Sequence, residues 1–373
     1  MPTPRILFLS DHLGHPEGRV HGATTYFLNT LPPLRDSGLD LTVCFLRSRH
    51  PSAGRLEALG ITPIFLARSK WDIRALGDLS RLIRQHRIQL VHAAGMKGIL
   101  LGRIAARKAR LPFIAHLHDT NPLDPLTRFL QRTTASWTHA AIGISKTVCD
   151  YATHTLAIPP ERVHLLYNSL PLDPYLPPPD SVLTSLRADL GLDPQDHVIG
   201  CIGRLSEEKG HAPLLEALQP TLHNRAHLKL LLIGDGPLRP NLTSLVQKLN
   251  LQTSVHFLGH RDDVPALLHL MNALVIPSLR EGLGYIALEA MAAGTPVAAF
   301  ATGGLAETIQ HDHNGLLAPP GQTNTLITNL LRLLDDAPLA ERLIAAGHAY
   351  VQSYSLNHHI AHLRAIYNNL TKP

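Results

Sequence analysis

Pro171-Leu172-Asp173-Pro174-Tyr175-Leu176-Pro177-Pro178-Pro179 crowds five prolines into nine residues. Each proline removes a backbone donor and fixes φ, so neither a strand nor a long helix runs through the stretch. With the short helical run near Asp180–Leu190, it reads as a linker over residues 171–195. On both sides of it, short runs rich in leucine and β-branched residues alternate with amphipathic helical stretches. Before it, strands are expected at Ile6–Ser10, Leu41–Leu46, Thr62–Leu66, Gln89–Ala93, Phe113–His116, Ala141–Ser145 and Val163–Tyr167. Helices such as Tyr26–Leu34, Ala75–His86 and Lys97–Arg110 lie between them. After it, strands are expected at Val198–Ile202, Leu228–Ile233, Val255–Leu258, Ala273–Pro277 and Val297–Phe300.

Strand–helix alternation of this kind builds a parallel sheet with helices on both faces. Two such arrays joined by a linker predict an α/β protein of two Rossmann-like domains, residues 1–170 and 196–353, facing across a cleft. Ligands of such sheets bind outside the carboxyl ends of the strands. The helical tail Leu339–Leu370 has no strand to alternate with. Its last part, residues 354–373, is expected to cross back to the first domain.

A chain of 373 residues suits two domains. With 45% hydrophobic and 17% charged residues it is unlike a disordered chain. No apolar run reaches the ~18–20 residues that span a bilayer, and the N-terminal residues lack the pattern of a signal peptide. Cys44, Cys149 and Cys201 stand singly in apolar stretches, as buried small hydrophobes do, and a cytoplasmic setting is expected. Residues 1–175 hold 21 Lys/Arg against 12 Asp/Glu, whereas the remainder is net acidic. The basic segments Arg68–Arg87 and Lys97–Arg110 suit an anionic membrane surface, and so a place at the inner face of the membrane. No nucleic-acid partner is expected.

Candidate chemistry gathers where strands give way to helices. In Gly203-Arg204-Leu205-Ser206-Glu207-Glu208-Lys209-Gly210, Gly203 lets another group approach the backbone, while Arg204 and Lys209 form a diphosphate clamp. In Pro277–Pro296, Glu281 lies in the loop after a buried strand. Gly282 and Gly284 open the backbone where a helix begins, so amides near Leu283, Gly284, Tyr285 and Ile286 can hold a phosphate. Glu289 lies farther along that helix among Ala287, Leu288, Ala290 and Met291, too apolar a setting for an unpartnered carboxylate. Thr302-Gly303-Gly304 is another glycine turn that can present amides. In the first half, Gly22 precedes a helix, and His118 follows the strand at Phe113–His116. A His-x-His pair raises the question of metal, but no third ligand stands out, and no cofactor or metal is expected. The first strand is not followed by Gly-x-Gly-x-x-Gly, which argues against a dinucleotide dehydrogenase.

The ordered set resembles the retaining glycosyltransferases of the GT-B fold, family 4, the glycogen-synthase-like and sucrose-synthase-like group. The most specific element is Glu-x7-Glu, here Glu281 and Glu289, within Pro-Ser-x-x-Glu-Gly-x-Gly and Leu-Glu-Ala-Met-Ala-x-Gly-x-Pro-Val. The resemblance implies transfer of a sugar from a nucleotide-diphosphate sugar to an acceptor, whether glycan, lipid-linked or small molecule, with retention and without a metal. It implies that Arg204 and Lys209 neutralise the leaving diphosphate and that Glu281 contacts the transferred sugar. Glu289 would bind the ribose, with His118 beside the reacting sugar and Gly22 against the diphosphate. The Gly259-His260-Arg261-Asp262-Asp263 loop would lie near the base. The chain departs from the pattern at His21-Gly22, where many relatives have Gly-Gly, at Leu283, where Phe is common, and at Asn168-Ser169, where Asn-Gly is frequent. A non-catalytic nucleotide-sugar-binding protein on the same fold is the competing reading.

Overall fold

A computed structural model describes residues 4–14, 22–69 and 72–371. The chain divides into two compact units, Met1–Ser169 with Tyr354–Pro373, and Leu170–Ser353.

The first unit is built on seven parallel strands: β1 (Arg5–Ser10), β2 (Asp40–Phe45), β3 (Ile64–Phe65), β4 (Leu90–Ala94), β5 (Phe113–Leu117), β6 (Ala140–Gly143) and β7 (Val163–Leu165). Their order across the sheet is β3-β2-β1-β4-β5-β6-β7. β4, β5 and β6 are buried at every position, as expected of parallel strands with both faces covered. β3 shrinks to two residues from the expected Thr62–Leu66, because it is an edge strand that opens after Pro63 and pairs only with β2. Much of the positive charge of this half is internally matched. Arg68 pairs with Asp72 and Asp78, Arg74 with Asp72, and Arg103 is buried against Gln131 and Thr134. Arg74, Arg81, Arg84, Arg87, Arg107, Lys108 and Arg110 are exposed cations among the described residues of the two basic segments.

The second unit has six parallel strands, β8 (His197–Ile202), β9 (Leu228–Ile233), β10 (Val255–Gly259), β11 (Ala273–Ile276), β12 (Val297–Phe300) and β13 (Leu316–Ala318), in the order β10-β9-β8-β11-β12-β13. β13 escaped the sequence reading because only three residues mark it. Leucine-rich helices and strands share one core here, including Leu214, Leu218, Leu230, Val275, Leu330 and Leu343.

One stretch differs from expectation. Residues 171–195 are not a free connector. The turn Asp173–Tyr175 packs on the helices Val264–Leu270 and Tyr285–Ala293, and the helix Asp180–Asp189 packs on Val264–Leu270. The tail is two helices. It splits at Gln352–Tyr354 into the helices Ala337–Val351 and Leu356–Thr371. Leu339 and Leu343 of the former join the second unit's core, whereas Ile360, Leu363 and Tyr367 of the latter join a core with Ile6, Leu90 and Ile114.

Tyr367 is fully buried, and its hydroxyl lies 2.6 Å from His92 Nδ1. Truncating a buried aromatic leaves a cavity, so Tyr367→Ala should cost the first unit about 3–5 kcal/mol in urea unfolding. A loss below ~1 kcal/mol would contradict the docking of the tail helix.

Candidate active site

The order of the second sheet reverses between β8 and β11, so the loops leaving these neighbouring strands diverge and open a crevice at their carboxyl ends. The loop after β8 carries Gly203–Gly210, and the loop after β11 carries Pro277–Gly284. Across that switch point, Lys209 Nζ and a Glu281 carboxylate oxygen form an ion pair between residues 72 apart in sequence. Their side chains are only 22% and 14% exposed, so the pair is partly withdrawn from water. Ser278 Oγ donates to the same Glu281 oxygen at 3.2 Å, and the Leu279 N–H donates to the Glu208 carbonyl at 2.8 Å, tying the two loops together. Arg204 is exposed on the loop that carries Lys209.

Close backbone approaches fix the shape. A Cβ on Gly303, whose φ is +49°, would lie 2.0 Å from the Glu281 carbonyl oxygen, and one on Gly304 would lie 2.3 Å from that of Gly282. The Gly304 N–H donates to the Glu281 carbonyl at 3.1 Å. This corrects the sequence reading of the turn: Gly304 does not offer its amide to a ligand but supports the loop that holds Glu281. Gly284, with φ +77°, caps the helix Tyr285–Ala293. The first-turn N–H groups of a helix point out of its N-terminus and attract anions. Leu283 is 3% exposed and its carbonyl accepts from Thr308 Oγ1 at 3.0 Å, so its side chain serves the core.

Glu289 lies one turn farther along this helix, half-buried, on the helix against which the Asp173–Tyr175 turn packs. Burial pushes its carboxyl up to about 7, and the tyrosine pulls the other way. Arg261 lies in the loop after β10, but its guanidinium is committed to Asp263, with Nε to Oδ1 at 2.7 Å. Its Nε/Nη2 edge is therefore engaged within the loop.

In the first unit, His118 follows β5, its ring stacked on His116 at 4.3 Å and tilted against Tyr26 at 4.8 Å. Neither of its ring nitrogens has a hydrogen-bond partner. Burial, then the neighbouring His359, drives its pKa down to about 3, so the imidazole is neutral. His116 Nδ1 is taken by His92 Nε2 at 3.0 Å. Gly22 opens the helix Gly22–Asp36, while His21 lies outside the described residues. Among the described residues, no group of three or more His, Cys, Asp or Glu could hold a metal ion.

Sequence reasoning missed several participants. Ser278 buttresses Glu281, and Tyr175 sits in what read as a linker. Gly234-Asp235-Gly236 after β9 presses on the first loop: a Cβ on Gly236 would lie 2.3 Å from the Leu205 carbonyl. Two glycines directly after a strand were the available signal. Asp11 at the end of β1 accepts from the Lys97 and Gly98 amides, and burial raises it to about 6.

Residues 20–173 match the model of Glycosyltransferase Family 4 and residues 184–350 that of Glycosyl transferases group 1. The chain is 28% identical to a 2-deoxystreptamine glucosyltransferase of Streptomyces kanamyceticus, over 88% of each chain. It is 26% identical, over 72% of each, to the Escherichia coli UDP-Gal:alpha-D-GlcNAc-diphosphoundecaprenol alpha-1,3-galactosyltransferase. HepE of Anabaena, solved with UDP and glucose, superposes with a TM-score of 0.87 at 24% identity, covering 98% of this chain and all of that one.

The buried histidines give the first unit a defined acid response. Burial, the largest cause for each, holds His92 and His118 at about 3 and His359 at about 4, against an ordinary value of 6.5. Between those values the unfolded chain binds more protons, so their contribution is intact above pH 6.5 and lost as pH falls. The urea midpoint should therefore drop steadily from pH 7 to pH 5, and a midpoint constant over that range would contradict the neutral histidine cluster.

Proposed function

The chain belongs to the family 4, group 1 glycosyltransferases of the GT-B fold, and on that premise we propose that it transfers a sugar from a nucleoside-diphosphate sugar with retention and without a divalent metal. The observation that carries this reading is the Lys209–Glu281 pair held between glycine-shaped loops, with Arg204 exposed on the same loop as Lys209.

A donor entering there meets groups suited to each part. Arg204, Lys209 and the N-terminus of the Tyr285–Ala293 helix face the diphosphate, whose charge grows as the bond to the anomeric carbon breaks. Fixed cations and helix-terminal amides stabilise such charge without reorganising. Glu281, already oriented by Ser278, accepts from hydroxyls of the transferred sugar. Glu289 accepts from the ribose hydroxyls. The acceptor oxygen bonds to the anomeric carbon on the face the diphosphate leaves, and its proton passes to a departing phosphate oxygen.

The relatives make a UDP-sugar the first donor to test, and 2-deoxystreptamine and a diphosphoundecaprenol-linked sugar the first acceptors. No helix among the described residues is long and apolar enough to cross a membrane. Donor binding without transfer to any acceptor and without slow hydrolysis would favour the non-catalytic alternative.

Arg204→Ala and Lys209→Ala should each lower turnover by about 100-fold or more while leaving the fold intact. Near-normal transfer by either would remove the clamp from the mechanism. Transfer should also proceed at full rate in excess EDTA, and a strict divalent-metal requirement would overturn the metal-independent scheme.

A further inference from the structure

Outside the residues assigned to the donor, the first unit carries one strongly basic face. The crossovers from β3 to β4, β4 to β5 and β5 to β6 run the same way across the sheet. Right-handed crossovers then put their helices, Arg74–Gln85, Met96–Ala109 and Pro125–Thr133, on one side of it. Packing agrees: the first two helices touch, and Gln131 Nε2 of the third donates to the Met96 carbonyl at 2.6 Å. The three helices hold nine Lys or Arg and a single carboxylate, Asp78, which Arg68 pairs at 2.6 Å. Seven of the nine cations are exposed.

On the Pro125–Thr133 helix that charge meets apolar bulk. Leu126 and Phe129, one turn apart, are 59% and 62% exposed. Arg128 and Arg132 share the exposed side with them, while Gln131 is buried and bonds Arg103. Ile73, just before the Arg74–Gln85 helix, is 79% exposed. A single exposed leucine is ordinary, but bulky apolar side chains rimmed by cations mark a contact surface. A helix that shows phenylalanine and leucine beside arginines suits the boundary between lipid headgroups and acyl chains. Trp137, half-buried just beyond this helix with the Arg107 guanidinium 5.9 Å from its ring, is of the aromatic type enriched at that depth. A nucleic acid would match the charge but leave Leu126 and Phe129 facing water.

We propose that this face docks on an anionic lipid bilayer, with Leu126 and Phe129 inserted and the cations of the three helices against the headgroups. The cations supply electrostatic attraction to anionic lipid, and the two inserted side chains supply hydrophobic partitioning. The Pro125–Thr133 helix follows the carboxyl end of β5, so docking brings that edge of the first sheet to the headgroups, within reach of an acceptor carried on a lipid. The inference stands apart from the donor-site reading, since no nucleotide enters it.

The test is sedimentation of the full chain, without nucleotide, with vesicles of phosphatidylglycerol and phosphatidylcholine in equal parts and with vesicles of phosphatidylcholine alone. The chain should pellet with the anionic vesicles at ~0.1 M salt and release at ~1 M, where the Debye length falls to about 3 Å. Leu126→Ser/Phe129→Ser should bind the anionic vesicles at least about tenfold more weakly, and so should Arg84→Glu/Lys108→Glu. All four side chains are exposed, so the urea midpoints of both variants should stay at the wild-type value. In Phe129→Trp, which keeps the apolar bulk, brominated lipid in the anionic vesicles should quench the added fluorescence. Absence of pelleting at ~0.1 M salt would overturn the inference, as would equal pelleting with phosphatidylcholine alone. So would wild-type vesicle affinity in either double variant, or a Phe129→Trp signal that brominated lipid leaves unquenched.

Discussion

The ion pair between Lys209 and Glu281 is the constraint on which the site depends. It joins two loops that a sheet reversal sets side by side, and neither loop could hold its charge in place alone. The partly buried carboxylate needs a cation to offset its lost hydration, and the lysine stem needs a fixed partner to lose its rotamer freedom usefully. Everything adjacent supports that contact. Ser278 shares the carboxylate, Leu279 ties back to Glu208, and Gly303 and Gly304 allow the second loop to rest on a third.

The same economy of backbone appears around Gly210, where a Cβ would lie 2.2 Å from the Pro277 carbonyl oxygen. Side chains are absent where loops cross, and the functional groups project from the places left open. Buried polar side chains without a hydrogen-bond partner are found in both units. His118 has two unpartnered nitrogens, as does His211, which burial, then Lys209, lowers to about 4 just beyond the lysine.

The alternation of strand and helix was legible because every central strand is an apolar run bounded by turns, as at Leu228–Ile233 and Val297–Phe300, whose observed limits agree with the sequence reading. The edges were not, since β3 and β13 contain two and three residues and owe their existence to a neighbour. Within the site, charged residues next to glycines announced themselves. Tyr175 did not, because prolines mark where a chain is irregular and say nothing of what it docks against. Gly303 and Gly304 were legible as a turn, yet their task, supporting the Glu281 loop, depends on a contact 22 residues away in sequence for the Glu281–Gly303 pair. Arg261, in the loop expected near the base, bonds its guanidinium to Asp263 of the same loop.

The most direct measurement is a crystal structure of the chain with a bound nucleoside-diphosphate sugar. The account requires diphosphate oxygens within hydrogen-bonding distance of Arg204 and Lys209, the sugar against Glu281, and the ribose hydroxyls on Glu289. Nucleotide density at any other place, with the Lys209–Glu281 pair untouched, would contradict it.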